Sequence, residues 1–155
     1  MPVEKNSILI RNGQMKDAAT IAVYMIRLAM ETEDIRLSPN AVERGVRSAL
    51  SDPEKGRYFV AESGPSVVGC LMLTREWSDW RDGWIIWIQS VYVHSEFRKQ
   101  GVFKALYAHV REWAREQGAL SIRLYVDTEN ESAQETYKKL GMSLSNYKVM
   151  EGDVG

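Results

Sequence analysis

The chain has 155 residues, of which 45% are hydrophobic and 26% are charged, and its formal net charge is −1. This composition predicts one soluble globular domain, and without a basic excess it argues against a general nucleic-acid-binding protein. The single cysteine, Cys70, excludes a disulfide within the chain and fits a reducing compartment. No apolar run reaches the roughly 20 residues that cross a bilayer, and the first residues lack a secretory signal, so we expect a cytoplasmic protein that does not bind membranes.

The first third of the chain predicts one strand and two helices. Residues 7–11 form a short apolar run, and Asn12-Gly13 is a turn signal that ends it. Residues 16–30 place apolar side chains on one helical face, which predicts an amphipathic helix. A second helix begins near Pro39, because proline is favoured in a first helical turn, and it ends before Pro53.

The middle of the chain predicts a hairpin and a long buried strand. Residues 58–62 and 67–73 are apolar strands joined by a short turn, so we expect them to pair. Residues 74–83 are rich in charge and tryptophan, which predicts a polar loop. Residues 84–93 are almost entirely apolar, which is typical of a central strand buried on both faces.

The last third predicts a helix, a strand, a helix and further strands. The first of these helices has an apolar stripe made of Phe103, Leu106, Val110 and Trp113. Residues 121–126 alternate in polarity and predict a half-buried strand. Asn130 is a favourable N-cap for a last helix that ends near Leu140, and residues 142–150 predict one or two final strands.

A basic turn joins the central strand to the helix that follows it. The turn contains Arg98, Lys99 and Gly101, and Lys104 lies in the first turn of the helix. A helix N-terminus presents N–H groups without intrahelical partners and the positive end of the dipole. Most charge runs are ordinary solvated surface, but the strand before and the helix after this turn favour a phosphate-binding site.

The same turn carries a resemblance to a known family. Arg98-Lys99-Gln100-Gly101-Val102-Phe103 resembles the pyrophosphate loop of the GCN5-related N-acetyltransferases (GNAT), whose pattern is Arg or Gln, two residues, Gly, one residue, then Gly or Ala. Phe103 departs from the small residue at the last position. The preceding Val91-Tyr92-Val93 is similar to the family's central strand. The resemblance implies a mixed, mostly antiparallel sheet of about six or seven strands with helices on both faces, in one domain.

A second run, Asn130 to Gly141, is similar to the family's second signature. Asn130, Ala133 and Tyr137 are spaced by three and four residues, so they share one face of a helix. The resemblance implies that this face contacts the pantetheine arm of coenzyme A.

The resemblance also implies a reaction, the transfer of an acetyl group from acetyl-CoA to a primary amine of a small molecule by direct attack on the thioester. The Val91 N–H would donate to the carbonyl oxygen as it becomes negative. Tyr137 would protonate the leaving thiolate or only hydrogen-bond to it. The residues implied to bind the cofactor are Val91, Val93, Arg98, Lys99, Gln100, Gly101, Val102, Phe103, Lys104, Asn130, Ala133 and Tyr137.

Carboxylates beside aromatic rings suit a cationic amine, through charge pairing and cation–π contact. In the family, the segment after the first helix and the hairpin before the central strand flank the acetyl end of the cofactor. The residues assigned to the acceptor on this basis are Glu31, Glu76, Asp79, Trp80 and Gln89. Arg75 and Arg81 lie in the same segment, so a zwitterionic or acidic amine stays open as the acceptor.

Two other functions stay open at this point. A non-catalytic acyl-CoA-binding or sensing module would keep the phosphate loop without the chemistry. A protein lysine or N-terminal acetyltransferase would need an open groove as wide as a peptide. A homodimer is common in the family, but no residue pattern here indicates one. His94 and His109 have no metal-ligand spacing to other residues, so we expect no metal.

Overall fold

The computed structural model describes residues 7–155. In this range the chain forms five strands, which are β1 (Ile8–Asn12), β2 (Arg57–Ser63), β3 (Ser66–Ser78), β4 (Gly83–Val93) and β5 (Ser121–Leu124). The same range contains four α-helices, which are α1 (Ala18–Glu33), α2 (Pro39–Ser51), α3 (Val102–Glu116) and α4 (Glu131–Lys139). Short 3₁₀ turns precede α1 at Met15–Asp17 and α3 at Ser95–Phe97.

The strands form one sheet in the order β1-β2-β3-β4-β5. The pairs from β1 to β4 are antiparallel, whereas β4 and β5 are parallel because α3 carries the chain back between them. This arrangement confirms the predicted mixed, mostly antiparallel sheet. The sheet has fewer strands than predicted.

The difference lies at the C-terminus, where the predicted strand at residues 142–150 is wrong. The structure has no strand between residues 142 and 155. Apolar residues of this segment are largely exposed, with Leu144 at 61% and Tyr147 at 75%. An apolar pattern indicates which residues would share a face of a strand. It does not supply the neighbouring strand and the buried surface that make a strand stable.

Phe59 and its neighbours in β2 show that helices cover both faces of the sheet, as predicted. The Phe59 ring lies 4.7 Å from the His109 ring and 5.9 Å from the Trp113 ring, both on α3. Successive side chains of a strand point to opposite faces. Tyr58 and Val60 accordingly pack into the core cluster that also contains residues of α1 and α2.

The buried side of α3 begins one residue earlier than predicted. Val102 is buried, whereas Phe103 is only half-buried, and the stripe continues through Leu106 and Val110. Gly69 of β3 allows Val102 to pack closely on the sheet, because a Cβ built at Gly69 would lie only 3.0 Å from Cγ1 of Val102. The predicted stripe had the correct period but not the correct starting residue.

Most of residues 74–83, predicted as a loop, continues the sheet instead, and only residues 79–82 form a turn. β3 pairs with β4 as far as the Ser78–Gly83 pair. Trp77 and Trp84 lie opposite each other with their rings 4.9 Å apart, and such cross-strand aromatic pairs stabilise a hairpin. The charge of this segment indicated exposure to solvent, which a strand with one open face also allows.

The chain divides into two compact units, Met1–Tyr125 and Val126–Gly155. The described part of the first unit contains the whole sheet with α1, α2 and α3, and the second contains α4. The prediction of one domain over the whole chain stays a prediction.

Candidate active site

A β-bulge interrupts the pairing of β4 with β3. The register shifts between Cys70 and Met72 of β3, where β4 contributes an extra residue. Ser90 of β4 has a φ of 54°, in the left-handed region that is unfavourable for a residue with a side chain. Bulges bend a strand and re-aim its backbone groups, often beside active sites. Ser90 and Val91 therefore lie where β4 departs from regular geometry.

From Gln89 to Val93, no strand of residues 7–155 pairs with the side of β4 that faces away from β3, and this side is called the open edge. The parallel ladder with β5 ends at Ile88. On the opposite side, the His94 N–H donates to the Val68 carbonyl of β3 at 2.8 Å. N–H groups of successive extended residues alternate in direction, so the Val91 N–H, three positions earlier, points towards the open edge.

The turn after β4 shapes the start of α3. Lys99 and Gly101 have φ values of 62° and 82°, and Gly101 is the N-cap. The first helical bond runs from the Ala105 N–H to the Gly101 carbonyl at 3.0 Å, so the amides of Val102 and Lys104 have no acceptor within the helix. Consecutive N–H groups in such a turn form a concavity that favours anions.

The turn has open space at Gly101, whereas the neighbouring Val102 is packed closely on the sheet. A Cβ built at Gly101 would meet no heavy atom within 4 Å. A Cβ at Gly69 would instead lie 3.0 Å from Val102 and 3.2 Å from the Tyr92 carbonyl oxygen. The start of α3 is therefore seated on the sheet next to the end of β4, with free space above the turn.

Phe103 does not fill that space, although the family pattern has a small residue at its position. Its ring lies 6.2 Å from the Tyr107 ring of the same helix. The Gln100 side chain donates to the Glu96 carbonyl at 2.9 Å and braces the turn. The open space at Gly101 leaves the backbone of the turn accessible, and the binding of a diphosphate there stays a prediction.

Arg98, predicted as a phosphate ligand, is held by contacts to β4 and α1. Its Nε donates to the Val93 carbonyl at 3.0 Å, and its Nη2 donates to both carboxylate oxygens of Glu31 at 3.0 and 3.1 Å. The guanidinium also lies 5.3 Å from the centre of the Tyr92 ring. Arg98 thus ties α1 to the open edge, and its contact with a phosphate stays a prediction.

Glu31, predicted as an acceptor ligand, is the ionised partner in this contact. Burial alone would raise the pKa of the Glu31 carboxyl, but hydrogen bonds from Tyr92 and Arg98 outweigh it and lower the pKa. Burial and the bond to Glu31 raise the pKa of the Tyr92 phenol. Lys99 and Lys104 are exposed and form no ion pair within residues 7–155, so they are the cations available to an anion in the turn.

One face of the sheet packs against α1 and α2 through the core cluster. Further along the strands, the same face carries polar side chains. Cys70 of β3 belongs to that cluster, and Thr74 and Glu76 share its face because every second residue does so. The Gln89 side chain donates to Oγ1 of Thr74 at 2.5 Å. The Trp87 indole N–H donates to Oε1 of Glu76 at 3.3 Å.

The next strand extends this arrangement. Nη1 of Arg123 on β5 lies 3.3 Å from Oε2 of Glu76. The Tyr125 ring lies 4.7 Å from the Trp87 ring. The polar face is defined here as Thr74, Glu76, Trp87, Gln89, Arg123 and Tyr125.

The structure brings only two of the predicted acceptor residues together. Glu76 and Gln89 lie on the polar face, while Glu31 pairs with Arg98. Asp79 and Trp80 lie in the turn at the tip of the hairpin, where Trp80 is 90% exposed. The hairpin pairing decided this separation, since it carries residues 79–82 to the end of the sheet.

Sequence reasoning did not identify four residues of the polar face, Thr74, Trp87, Arg123 and Tyr125, as functional candidates. The alternation that places Arg123 and Tyr125 on one face was visible in the sequence. The bulge had a weaker signal, the polar pair Gln89-Ser90 within an apolar strand, which does not reveal a left-handed backbone.

The sequence matches the Acetyltransferase (GNAT) family over residues 22–142. The chain belongs to the GNAT family. The family match and the acetyltransferases among its relatives establish it as an N-acetyltransferase. The bulge, the open edge and the start of α3 all lie within the residues that match the family.

Two curated relatives of this acetyltransferase carry the name thialysine N-epsilon-acetyltransferase. The Bos taurus protein is 36% identical over 143 residues, which cover 86% of this chain and 83% of that protein. The Sus scrofa protein is 29% identical over 144 residues, covering 87% and 84%. The crystal structure of a "possible acetyltransferase" from Clostridium difficile 630 is 40% identical, with a TM-score of 0.89 over 95% of this chain and 97% of that one.

The second unit of the acetyltransferase carries the residues of the second signature. The predicted helix is confirmed as α4, and Oδ1 of its N-cap Asn130 accepts from the Ala133 N–H at 3.0 Å. Burial raises the pKa of the Tyr137 phenol, so the hydroxyl keeps its proton at neutral pH. The contacts of these three residues with a cofactor stay predictions.

Other reactive groups of the acetyltransferase do not form a second centre. Burial raises the pKa of the Cys70 thiol to about 12, which keeps the thiol protonated at neutral pH. Within residues 7–155, no three His, Cys, Asp or Glu side chains are grouped so as to hold a metal ion.

In that same range, no helix has both the length and the apolar character of a membrane span.

Proposed function

We propose that this protein is an acetyl-CoA-dependent N-acetyltransferase that acetylates a primary amine of a small molecule by direct attack of the amine on the thioester. The observation that carries the proposal is the combination, in one unit, of the bulge at Ser90 with the open helix N-terminus at Gly101. Acetyl-CoA supplies the acetyl group as an activated thioester and carries a diphosphate.

The Val91 N–H is the proposed oxyanion donor. The bulge lies directly before it, and the strand direction aims it towards the open edge. A fixed donor stabilises the negative charge that develops on the carbonyl oxygen during acyl transfer, and a single such donor typically contributes about 10²–10³ in rate. A main-chain donor needs no particular side chain, so the valine itself is not the chemical requirement.

The proposed diphosphate grip consists of main-chain amides between Gln100 and Lys104. The left-handed Gly101 and the unoccupied volume above it allow an anion to approach the backbone closely. The exposed Lys99 and Lys104 add positive charge at the same end of α3. This grip depends on backbone shape, and we expect side-chain changes at these lysines to weaken it without abolishing it.

Tyr137 is the proposed group that serves the leaving thiolate, an assignment carried by the family resemblance. Its raised pKa makes the phenol a weaker acid but ensures that a proton is present at neutral pH. Replacement by phenylalanine would remove that proton while keeping the ring.

The acceptor is proposed to be the terminal amine of thialysine or of a similar amino acid. Two relatives are named for that reaction, and the polar face offers the amide and hydroxyl of Gln89 and Thr74 close to the bulge. Side chains of this kind bind a polar amine without fixing it as a permanent ion pair.

A thiol-release assay tests the proposal. The enzyme is incubated with acetyl-CoA and a panel containing thialysine, lysine, polyamines and aminoglycosides. We expect turnover with thialysine or lysine, and a large loss of kcat in Tyr137→Phe with unchanged affinity for coenzyme A in calorimetric titration. Binding of acetyl-CoA without turnover of any amine would contradict the proposed acceptor class, and absence of binding would contradict the cofactor.

A further inference from the structure

The polar face carries two opposite charges side by side. Arg123 and Glu76 belong to β5 and β3, so their side chains meet across the intervening β4. The side chains are 35% and 47% exposed, respectively, so both can be reached from solvent. A pair in this position offers one cation and one anion to the same ligand.

The contact between the two charges is long. The contact joins Nη1 of Arg123 to one oxygen of Glu76 at 3.3 Å. Charge-assisted bonds are usually about 2.7–2.9 Å, and an Arg–carboxylate pair is strongest with two parallel bonds. A ligand carboxylate with better alignment can therefore displace Glu76 from Arg123 at small cost, since exposed pairs contribute little.

We propose that Arg123 and Glu76 bind the head group of an α-amino-acid acceptor, Arg123 its carboxylate and Glu76 its ammonium. The inference rests on the proposed function and adds the basis of acceptor selection to it. Zwitterionic head groups match this pair in both charges, which neither charge alone would achieve.

Spacing along the strand supports the assignment. Gln89 is next to the bulge, and Trp87 is two residues away on the same face, a separation of about 7 Å. Arg123 pairs with Trp87 across the β4–β5 ladder. An extended side chain of lysine length reaches over a similar distance, so a head group at Arg123 leaves the terminal amine near Gln89.

Trp87 positions the anion of this pair. Its indole N–H donates to Oε1 of Glu76, and the neighbouring Tyr125 ring lies 4.7 Å from its own. The rings also provide apolar surface for the methylene and thioether groups of the acceptor side chain. Trp87 therefore acts on the head group through Glu76.

The same arrangement discriminates against diamines. A diamine carries a second ammonium where the amino acid carries its head group, and it has no carboxylate. Glu76 would still attract that ammonium, but Arg123 would repel it and have no carboxylate to bind, so the amino acid is the preferred acceptor.

The test compares thialysine with the diamine that lacks only its carboxyl group. In Arg123→Met we expect kcat/KM for thialysine to fall at least about tenfold, mainly through KM, while the value for the diamine is unchanged or rises. Arg123→Lys should restore part of the thialysine activity because it keeps the charge. Arg115→Met is the matched control, since Arg115 lies on α3 and its one ion pair within residues 7–155 is with the exposed Glu112.

Equal losses for both acceptors in Arg123→Met, or no change in their ratio, would overturn the inference. If the unaltered enzyme acetylates neither compound, the proposed acceptor class fails instead. Calorimetric titration of thialysine without acetyl-CoA still separates the two ideas, because loss of binding in Arg123→Met alone supports the head-group contact. Equal binding by both proteins contradicts it.

Discussion

Arg11 on β1 and Arg123 on β5 both pair with carboxylates, but in opposite surroundings. Arg11 meets Asp17 through two bonds of 2.8 Å and also bonds to Glu62. The Asp17 side chain is only 5% exposed. Arg123 lies 3.3 Å from Glu76, and the two side chains are 35% and 47% exposed.

The contrast distinguishes an ion pair that stabilises the fold from an ion pair that can bind a ligand. A buried pair with its hydrogen bonds satisfied is costly to disturb, because removing one partner leaves the other charge buried and uncompensated. An exposed, poorly aligned pair opens easily. We therefore expect Arg11, Asp17 and Glu62, the closed cluster, to govern stability and the polar face to govern acceptor binding.

The largest expected effect is on the closed cluster. Asp17→Asn removes the charge that faces Arg11 and should lower the free energy of unfolding by about 3 kcal/mol. Urea denaturation measures this value. Glu76→Gln on the polar face is the matched control and should change it by less than about 1 kcal/mol. Similar losses in both variants would break the comparison.

Substitutions at Ser90 test whether the geometry of the β4 bulge matters for catalysis. Ser90→Val puts a β-branched side chain at a φ of 54°, which shifts the bulge and misplaces the Val91 N–H. A misplacement of this kind costs about a hundredfold in kcat. Ser90→Gly tolerates the same backbone and should keep its activity. Full activity in the valine variant would show that the bulge geometry does not contribute to catalysis.

Acid should weaken the closed cluster selectively. The Arg11 guanidinium lowers the pKa of the Asp17 carboxyl through its hydrogen bonds, against the opposing effect of burial. The unfolded chain, whose Asp pKa is about 3.9, therefore takes up this proton first, and the contribution is present above that value and is lost as pH falls through the lower folded pKa. Urea midpoints between neutral and acidic pH should fall more steeply for the unaltered protein than for Asp17→Asn. Parallel curves would contradict this.

Gly101→Ala should weaken coenzyme A binding by about tenfold, because the new Cβ enters the anion concavity and strains a φ of 82°. Gly118→Ala is the control at the other end of α3, where φ is 70° and a Cβ also meets no heavy atom within 4 Å. Both should lose similar stability, but only the first should lose affinity in calorimetric titration. Equal affinities of the two variants for coenzyme A would show that its phosphates do not bind at Gly101.

The smallest expected effect concerns the Glu31–Arg98 pair. Both side chains are more than 40% exposed, so Glu31→Gln should lower the free energy of unfolding by less than about 1 kcal/mol. Thermal denaturation compares it with Glu43→Gln, which breaks another exposed pair, to Arg47. A much larger loss at Glu31 would place this pair with the closed cluster.

Much of the framework was predictable from local patterns. The basic turn at Gly101 and the N-cap at Asn130 were identified from residue types that act within one helical turn. Arg123 was not identified, because its partner Glu76 is distant in the chain and an arginine in an alternating strand is ordinary. The predicted strand at residues 142–150 failed for the related reason that pairing requires a neighbour.

By itself the sequence determined the central strand, the basic turn before α3 and the family, because these depend on short runs of residues and on backbone geometry that glycine and helix ends impose. Only the tertiary structure decided the left-handed Ser90, the direction of the Val91 N–H and the meeting of Glu76 with Arg123. Each of these depends on the register between strands, and register is set by the packing of the whole sheet.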